Sequence, residues 1–346
     1  MDKNKLLKKI RDIKEKLGDS LIILTHHYQN MDIVDLGDYK GDSFDLSQKA
    51  AKDRNARYIV FCGVHFMAES AAILAQSNQI VQIPDYEAGC WMAEMADINL
   101  VNTAWQELHR VIGGDQIIPV VYMNSDAELK AFCGRQGGIV CTSSNAGAAI
   151  DWGFSRGDKI LFFPDQHLGR NTGNRMGIKP EEMILWSPGK VLGGNSPETV
   201  KKSRIILWDG YCLVHTRFGV EHIKKMKEKY PDATTVVHPE CTQELVAAAD
   251  AVGSTSFIVK YVDQAPPGST ILVGTEINLI ERLNRDYTDR DVLPLYNSPC
   301  PNMHKITPEK LLNSLENIGS INVVEVPEEI KTDARKALDR MLELPS

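Results

Sequence analysis

The chain has 346 residues, of which 43% are hydrophobic and 25% charged, and its formal net charge is −7 at pH 7. This length exceeds what one hydrophobic core usually serves, so we expect two or three globular domains. The acidic balance excludes sequence-independent binding of nucleic acid, because such binding needs a basic surface that neutralises phosphates.

The first residues, MDKNKLLKKIRDIKEKLG, place Leu6, Ile10, Ile13 and Leu17 at helical spacing ahead of Gly18. This pattern predicts an amphipathic helix that packs on the fold and ends at the glycine. The segment is too charged for a signal peptide, and no run in the chain reaches the roughly 18 apolar residues of a membrane-spanning helix. We therefore expect a cytoplasmic protein with no membrane partner.

Seven cysteines are spread along the chain, at positions 62, 90, 133, 141, 212, 241 and 300. An odd count without an export signal argues against a disulfide framework and favours buried thiols or metal ligands. Since no CxxC occurs, a metal site would have to be assembled from distant parts of the chain. Cys62 and Cys141 lie in apolar runs and are predicted to be buried as small hydrophobic residues.

Short β-branched runs alternate with helix-like segments, which is typical of βα units and parallel sheets. Three of these runs end in polar residues two positions apart: LIILTHHYQ in His26 and Tyr28, IIPVVYMNS in Tyr122 and Asn124, and ATTVVHPEC in His238 and Glu240. Residues i and i+2 of a strand share a face, and ligands of α/β sheets bind at the carboxyl ends of the strands. Each run therefore presents two polar side chains toward a binding site.

A second strand follows each of these runs, in ARYIVFCGVHF, DKILFFPDQHL and STILVGTEINL, and after it comes one cysteine: Cys90, Cys212 and Cys300. The first polar residue and the cysteine are 64, 90 and 62 residues apart in the three cases. We attribute the longer middle distance to a Gly- and Pro-rich loop insertion at about 169–203. The pattern predicts three repeats of one α/β unit, at residues 1–105, 106–220 and 221–346, which contribute one cysteine each.

Three thiolates around a pseudo-threefold axis leave a metal site one ligand short. For zinc this is an open site of the catalytic type, and for a [4Fe–4S] cluster it leaves one iron free to bind substrate. All-sulfur ligation favours zinc or Fe–S over magnesium or calcium, but the spacing does not separate zinc from iron. An open metal of either kind acts as a Lewis acid toward a leaving hydroxyl group.

The polar pairs and several hydroxyl residues are candidates for catalysis and substrate binding. Histidine and carboxylate suit general acid–base catalysis, and the pair His238 and Glu240 is the strongest because Pro239 stiffens the backbone between them. Hydroxyl groups at predicted helix starts, at Ser43, Ser143, Ser254 and Thr255, suit carboxylate or phosphate oxygens, although each would also serve as a helix cap. No P-loop is present, and no GxGxxG follows a strand, so nucleotide binding is not expected.

The motifs THHYQN, GDSFDLS, AGCWMAEM, YMNS, CTSSNA, PDQHLG, DGYCLVHTRF, VHPEC, GSTS and SPCPNM occur in this order between about residue 20 and residue 310. As an ordered set they resemble the quinolinate synthase family. The resemblance implies three αβα domains related by pseudo-threefold symmetry around one central [4Fe–4S] cluster per chain. It implies Cys90, Cys212 and Cys300 as the ligands of that cluster and so favours iron over zinc.

The resemblance also implies an activity, a transferase reaction of de novo NAD synthesis. Iminoaspartate (iminosuccinate) and dihydroxyacetone phosphate condense to quinolinate with release of phosphate and two waters, and an aspartate-oxidising enzyme supplies the iminoaspartate. Tyr28 and Glu240 match positions expected to move protons, and Tyr122 and His238 are further catalytic candidates. Substrate contacts are implied for His26, Ser43, Tyr122, Met123, Asn124, Ser143, His238, Pro239, Glu240 and Thr255.

Two other functions fit the same pattern of residues. A hydro-lyase of the aconitase type would use a three-cysteine cluster with an open iron on one hydroxy acid and would need no phosphorylated partner. A non-catalytic Fe–S sensor would hold the cluster without turnover and would tolerate Glu240→Gln.

Overall fold

The structure is a computed structural model that describes residues 2–113 and 117–345. Within these residues the named strands form three separate sheets, and every pair of neighbouring strands runs parallel. The predicted α/β class and the three similar αβα units are therefore confirmed. In the same part of the chain, no helix combines the length and the apolar character needed to cross a membrane.

The first sheet comprises β1 (Leu21–His26), β2 (Tyr39–Gly41), β3 (Tyr58–Cys62) and β4 (Ile80–Gln82) in the order β2-β1-β3-β4. The second comprises β5 (Ile117–Tyr122), β6 (Ile139–Cys141), β7 (Lys159–Phe163), β8 (Met183–Trp186) and β9 (Ile205–Trp208) in the order β6-β5-β7-β9-β8. The third comprises β10 (Thr234–Val237), β11 (Ala251–Val252), β12 (Thr270–Gly274) and β13 (Asp291–Pro294) in the order β11-β10-β12-β13. Apart from β8, the three sheets share one topology.

The described α-helices are α1 (Lys3–Leu17), α2 (Met31–Val34), α3 (Ser43–Lys52), α4 (His65–Leu74), α5 (Trp91–Glu94), α6 (Ile98–Ile112), α7 (Ala127–Arg135), α8 (Ala146–Phe154), α9 (Gln166–Arg175), α10 (Pro197–Lys202), α11 (Val220–Lys229), α12 (Gln243–Ala248), α13 (Thr255–Gln264), α14 (Ile277–Asp286), α15 (Pro308–Glu316) and α16 (Glu328–Leu342). Short 3₁₀ turns lie at Gly18–Ser20, Pro180–Glu182, Val191–Gly194, His215–Arg217 and Met303–Lys305. The predicted N-terminal helix is α1, which buries Leu6 and Ile10 and ends at Gly18 with a φ of +50°.

The central strands of the sheets are buried along nearly their whole length. All residues of β1, β5 and β7 are buried, as expected for parallel strands with helices on both faces. The first two sheets and the C-terminal segment share one continuous core. The third sheet has one apolar cluster around Val236 and another around Val237. The two clusters lie on opposite faces of the sheet, because consecutive side chains of a strand point to opposite faces.

Residues 169–203, expected as a loop insertion, contain regular structure. They include most of α9, the strand β8 at the edge of the second sheet and the short helix α10. Met183, Ile184 and Trp186 of β8 are buried, so this apolar run forms a strand despite the glycines and prolines around it. The expectation of a loop was wrong here. It followed from the many glycines and prolines of the segment, and these obscured the one short apolar run, MILW, which forms β8.

The C-terminal helix α16 connects the first two units. Arg335 donates to the carbonyls of Ile73 and Leu74, both at 3.2 Å, at the end of α4. On the other side α16 packs closely on α7, where a Cβ atom at Gly134 would lie 1.8 Å from the carbonyl oxygen of Asp333. Glycine at this position therefore permits the close approach of the two helices.

Candidate active site

One cavity lies where the carboxyl ends of the three sheets meet. Twelve of the predicted site residues line it: His26, Tyr28, Ser43, Cys90, Tyr122, Asn124, Ser143, Cys212, His238, Glu240, Thr255 and Cys300. Met123 and Pro239 are not among the described residues that line it. The Met123 sulfur instead accepts from the Ser70 hydroxyl at 3.2 Å, and the Pro239 carbonyl accepts from Asn171 Nδ2 at 2.8 Å.

The polar pairs reach the cavity because they stand at strand ends. His26 is the last residue of β1, Tyr122 is the last residue of β5, and His238 directly follows β10. The second member of each pair stands two residues further on and faces the same cavity. The shared topology of the three sheets thus brings together six side chains that are far apart in sequence.

His26 and His238 are held in one tautomer by the same local hydrogen bond. The backbone N–H of Tyr28 donates to His26 Nδ1 at 3.2 Å, and the N–H of Glu240 donates to His238 Nδ1 at 3.3 Å. Burial lowers the pKa of His26 to about 4 and that of His238 to about 3, so both rings are neutral near pH 7. With Nδ1 accepting, the ring proton sits on Nε2, and each ring is an N–H donor there.

Three helices begin at the cavity, namely α3, α8 and α13. The residues that cap α3 and α13 are Asp42 and Ser254, which accept backbone N–H groups of their own first turns. The neighbouring hydroxyl groups of Ser43 and Thr255 are therefore not used as caps, which removes the capping alternative for these two residues. Helix N-termini carry partial positive charge and unpaired N–H groups, so this end of the cavity favours anionic groups.

Side chains at these helix starts also connect the three units. Ser144 Oγ donates to Asp42 Oδ2 at 2.8 Å, which joins the start of α8 to the start of α3. Ser256 Oγ donates to Asp45 Oδ2 at 2.8 Å, which joins α13 to α3. The three N-termini are thus held in fixed positions relative to one another.

Cys90, Cys212 and Cys300 occupy equivalent positions. Cys90 comes after β4, Cys212 after β9 and Cys300 after β13, and these three strands take the same place in their sheets. Each cysteine also starts a helical turn. Their carbonyl oxygens accept from the backbone N–H four residues on, at 3.1, 3.0 and 3.2 Å. This threefold recurrence places one thiol of each unit on the same cavity.

Burial dominates the acidity of the three thiols. It raises the pKa of Cys90 to about 12, and it raises the pKa values of Cys212 and Cys300 as well. Charge on one of these sulfurs also raises the pKa of another, because the three lie close together. Thiols with raised pKa values stay protonated unless a cation offsets the charge of the thiolate, so the donor set fits a metal centre.

A second group of metal-ligand types adjoins the thiols. Ligand atoms of Cys212, His215 and Glu240 lie within 4.8 Å of one another, and among the described residues this is the one such group of three or more. However, both nitrogens of His215 and both oxygens of Glu240 already take part in hydrogen bonds. The group is therefore a hydrogen-bonded network, and Cys90 and Cys300 do not belong to it.

The network joins side chains of all three units. Tyr122 OH donates to Glu240 Oε1 at 2.5 Å, and His215 Nδ1 lies 2.7 Å from Glu240 Oε2. Thr275 Oγ1 lies 3.0 Å from His215 Nε2 and 2.7 Å from Tyr28 OH. The chain of hydrogen bonds ends at Thr255, whose hydroxyl donates to Tyr28 OH at 2.9 Å.

The charges in this network are set by burial and by its own members. Burial acts to raise the pKa of Glu240, but His215, His238 and the Tyr122 hydroxyl outweigh it and lower the pKa to about 2. Burial and the negative charge of Glu240 raise the pKa values of Tyr28 and Tyr122 well above the usual range. At neutral pH the network therefore holds the Glu240 carboxylate and two protonated tyrosines.

Four residues of the site were missed from the sequence: Asp42, His215, Arg217 and Thr275. Arg217 is the one lysine or arginine among the described residues that line the cavity. His215 and Arg217 lie in the motif DGYCLVHTRF, so their nearness to Cys212 was an available signal. Thr275 follows β12 without any motif of its own, and only the folded chain shows its contacts.

The remaining cysteines do not contribute to the cavity lining described above. Cys62, Cys133, Cys141 and Cys241 are fully buried, which confirms the prediction for Cys62 and Cys141. Cys133 Sγ donates to the Pro119 carbonyl at 3.5 Å, and Cys241 Sγ lies 3.8 Å from the Gly274 carbonyl. All four occupy core positions.

Comparison with known proteins agrees with the motifs. A family model described as "Quinolinate synthetase A protein" matches residues 8–343. A quinolinate synthase of Corynebacterium glutamicum is 47% identical over 344 residues, which cover 98% of this chain and 87% of that protein. Quinolinate synthases of Acidobacterium capsulatum and Bacillus cereus are 46% and 44% identical, with 97% of this chain and 92% of each relative covered. The chain belongs to the quinolinate synthetase A family.

Proposed function

We propose that this protein condenses iminoaspartate with dihydroxyacetone phosphate to form quinolinate, phosphate and two waters, as a transferase of de novo NAD synthesis. The observation that carries the proposal is the convergence of three cysteines and three helix N-termini on one cavity. The names of the related proteins support the same activity.

Cys90, Cys212 and Cys300 would hold a [4Fe–4S] cluster, because three partly buried thiols at equivalent positions match its ligand type and leave one iron without a protein ligand. When bound, a cluster of this kind supplies a Lewis acid that assists the loss of hydroxide in the dehydration. Glu276 supports the last ligand, since its Oε1 accepts from the backbone N–H of Cys300 at 3.1 Å.

The anionic groups of the two substrates match the helix starts. Iminoaspartate carries two carboxylates, and dihydroxyacetone phosphate carries a phosphate. Hydroxyl groups of Ser43, Ser143 and Thr255 lie at the N-terminal ends of α3, α8 and α13, where such groups are stabilised. His26 and His238 add two neutral N–H donors, which can bind carbonyl or carboxylate oxygens without a change of charge.

The carboxylate of Glu240 and the tyrosines would carry the proton transfers. Ring formation requires protons to leave and join carbon, nitrogen and oxygen while one carbon–carbon bond and one carbon–nitrogen bond form. Glu240 is ionised and lines the cavity, so it can accept a proton there, and Tyr122 is directed at it by a 2.5 Å hydrogen bond. Tyr28 and Tyr122 stay protonated at neutral pH and so reach the substrate as hydroxyl groups.

The supply of iminoaspartate is part of the proposal. Because imines hydrolyse in water, the compound must come from an aspartate-oxidising enzyme that works beside this one, in the cytoplasm. Mixing the two enzymes with aspartate and dihydroxyacetone phosphate should give quinolinate, and omission of the oxidising enzyme should abolish it.

The direct test is product formation by the anaerobically purified protein. Quinolinate and phosphate should appear in equal amounts, and only when iminoaspartate and dihydroxyacetone phosphate are both present. Dehydration of a hydroxy acid without a phosphorylated partner would support the hydro-lyase instead. Absence of any turnover by a protein with an intact cluster would support the sensor.

A further inference from the structure

Lys130 is a lysine whose side chain is fully buried, and it is not among the described residues that line the cavity. It lies in the first turn of α7, where the partial positive charge of the helix N-terminus opposes a further cation. Burial also disfavours the ammonium group and lowers its pKa to about 8, although the negative charges of Glu69 and Asp126 act to raise it. Since both effects oppose a cation here, packing alone does not account for a lysine at this position.

The ammonium group of Lys130 makes two contacts. It donates a hydrogen bond to the carbonyl oxygen of Ser125. It also lies 5.6 Å from the centroid of the Phe66 ring, which is within the range of a cation–π interaction. Because Phe66 lines the cavity, the ammonium group is held between the cavity wall and the segment that follows β5.

Ser125 closes the turn that follows β5. Its hydroxyl donates to the Tyr122 carbonyl at 2.9 Å, and its backbone N–H donates to the Met123 carbonyl at 2.8 Å. Tyr122 itself is held in the sheet, where it pairs with β6. Asn124 lies beyond the strand, so its position depends on the turn, and Lys130 holds the carbonyl at the end of that turn.

Asn124 presents a hydrogen-bond acceptor to the cavity. Its side chain lines the cavity, and its Oδ1 is buried without a hydrogen-bond partner in the described part of the chain. Ionised carboxylate and phosphate oxygens cannot donate to it. The donors that the proposed substrates offer are the imine N–H of iminoaspartate and the hydroxyl group of dihydroxyacetone phosphate.

The start of α7 is also fixed from the first unit. The carboxyl group of Glu69 in α4 accepts from the backbone N–H of Ala127 at 3.1 Å, whereas the side chain of Asp126 makes no capping hydrogen bond. Phe66 stands three residues before Glu69 on the same helix. Lys130 therefore joins the turn that carries Asn124 to a helix end that the first unit holds in place.

We propose that Lys130 is a positioning residue, which holds the turn Tyr122–Ser125 so that the Asn124 amide is aligned with an N–H or O–H donor of the substrate. This inference rests on the proposed function, in which Asn124 contacts the substrate. Lys130 touches no substrate and acts through Asn124. Without the ammonium group, the Ser125 carbonyl loses its partner and Asn124 is no longer held in one position.

A double-mutant cycle with Asn124 measures this effect. Lys130→Met removes the ammonium group and keeps a long, flexible side chain, and Asn124→Ala removes the amide. The experiment compares kcat/KM for quinolinate formation in the wild type, the two single variants and the double variant, with iron content and melting temperature measured on each. We expect Lys130→Met to lower kcat/KM about 10- to 100-fold, because misplacement of a substrate-positioning group costs factors up to this size. The double variant should be no slower than Asn124→Ala, because the two residues act as one unit.

Lys159→Met is the matched control. Lys159 is also a buried lysine of the second unit, and its Nζ donates to the backbone carbonyls of Lys201, at 2.7 Å, and Ser203. It is not among the described residues that line the cavity. Both lysine variants lose a buried hydrogen bond to a carbonyl, so both should have a lower melting temperature. Only Lys130→Met should lose activity, and Lys159→Met should keep kcat/KM within about threefold of the wild type.

Two results would overturn the inference. One is a wild-type kcat/KM in Lys130→Met, and the other is a double variant that is slower than Asn124→Ala by the full factor seen for Lys130→Met alone. If Lys130→Met does not fold, Lys130→Gln takes its place in the cycle, because its side chain is neutral and polar and ends short of the Ser125 carbonyl. A wild-type enzyme that forms no quinolinate would instead contradict the proposed function, and this is seen before any variant is compared.

Discussion

His26 and His238 stand on different sheets and yet make the same contact, in which Nδ1 accepts the backbone N–H two residues further along the chain. The pairs His26–Tyr28 and His238–Glu240 are thus one structural motif used twice. In the middle unit Tyr122 takes the place of the histidine. Burial keeps both rings neutral, and the motif makes Nε2 of each an N–H donor.

The first prediction follows from the neutral state of His26. Its pKa is about 4 in the folded protein, against 6.5 for an exposed histidine. Between these values the unfolded chain binds a proton that the folded protein does not, so stability falls as pH falls through this window and is fully present above about pH 6.5. From pH 7 to pH 5 we expect His26 to account for about 2 kcal/mol of the loss.

Urea unfolding of the wild type and of His26→Gln at pH 7 and pH 5 measures the part of this loss in the free energy of unfolding that is due to His26. The variant should lose less stability between the two pH values than the wild type does. An equal loss in both proteins would show that His26 is protonated in the folded state.

The second prediction concerns Glu240, whose carboxylate accepts from Tyr122 and His215. Glu240→Gln keeps the shape and removes the charge, so we expect kcat to fall by about 10²–10⁴ with the iron content unchanged. Glu244→Gln, the same change at an exposed residue nearby, should leave kcat unaffected. Wild-type turnover by the Glu240 variant would exclude the carboxylate from the chemistry.

The third prediction concerns Arg217, the cation at the rim of the cavity. Because a guanidinium group attracts phosphate and carboxylate, Arg217→Gln should raise the KM for dihydroxyacetone phosphate about tenfold and change kcat much less. The dependence of kcat/KM on salt should weaken at the same time. Arg54→Gln serves as the control, since Arg54 is exposed and does not line the cavity. An unchanged KM would remove Arg217 from substrate binding.

The fourth prediction tests the contact of α7 with α16. Gly134→Ala would place a Cβ atom 1.8 Å from the Asp333 carbonyl oxygen, so the two helices must separate. Overpacking of this kind costs about 1–3 kcal/mol, and we expect a lower melting temperature. Gly147→Ala in α8 should not destabilise, because the nearest atom lies at 3.9 Å and alanine favours a helix. A Gly134 variant as stable as the wild type would show that α16 can shift without cost.

Much of the fold could be predicted because it depends on local patterns. The βα alternation predicts three parallel sheets, and the i, i+2 pairs at strand ends predict which side chains face one cavity. Strand β8 was missed because its four residues are surrounded by glycine, proline and polar residues. A short apolar run in such a setting carries no periodic signal of its own.

The part of the site that was missed depends on contacts between units. Thr275 lies 60 residues from His215 and 247 from Tyr28 in sequence, yet it makes hydrogen bonds with both. A single buried threonine after a strand has no distinguishing spacing. By contrast, the three cysteines stand out because each recurs at an equivalent place in its unit.

The central claim is that Cys90, Cys212 and Cys300 together hold one cluster at the meeting point of the three units. It is tested by measuring iron and acid-labile sulfide in anaerobically purified protein, for the wild type and for serine variants of these cysteines and of the buried Cys241. We predict four irons and four sulfides per chain in the wild type and in Cys241→Ser, and loss of the intact cluster in each of the other three variants. Zinc without sulfide in the wild type, or an intact cluster in Cys300→Ser, would contradict this account.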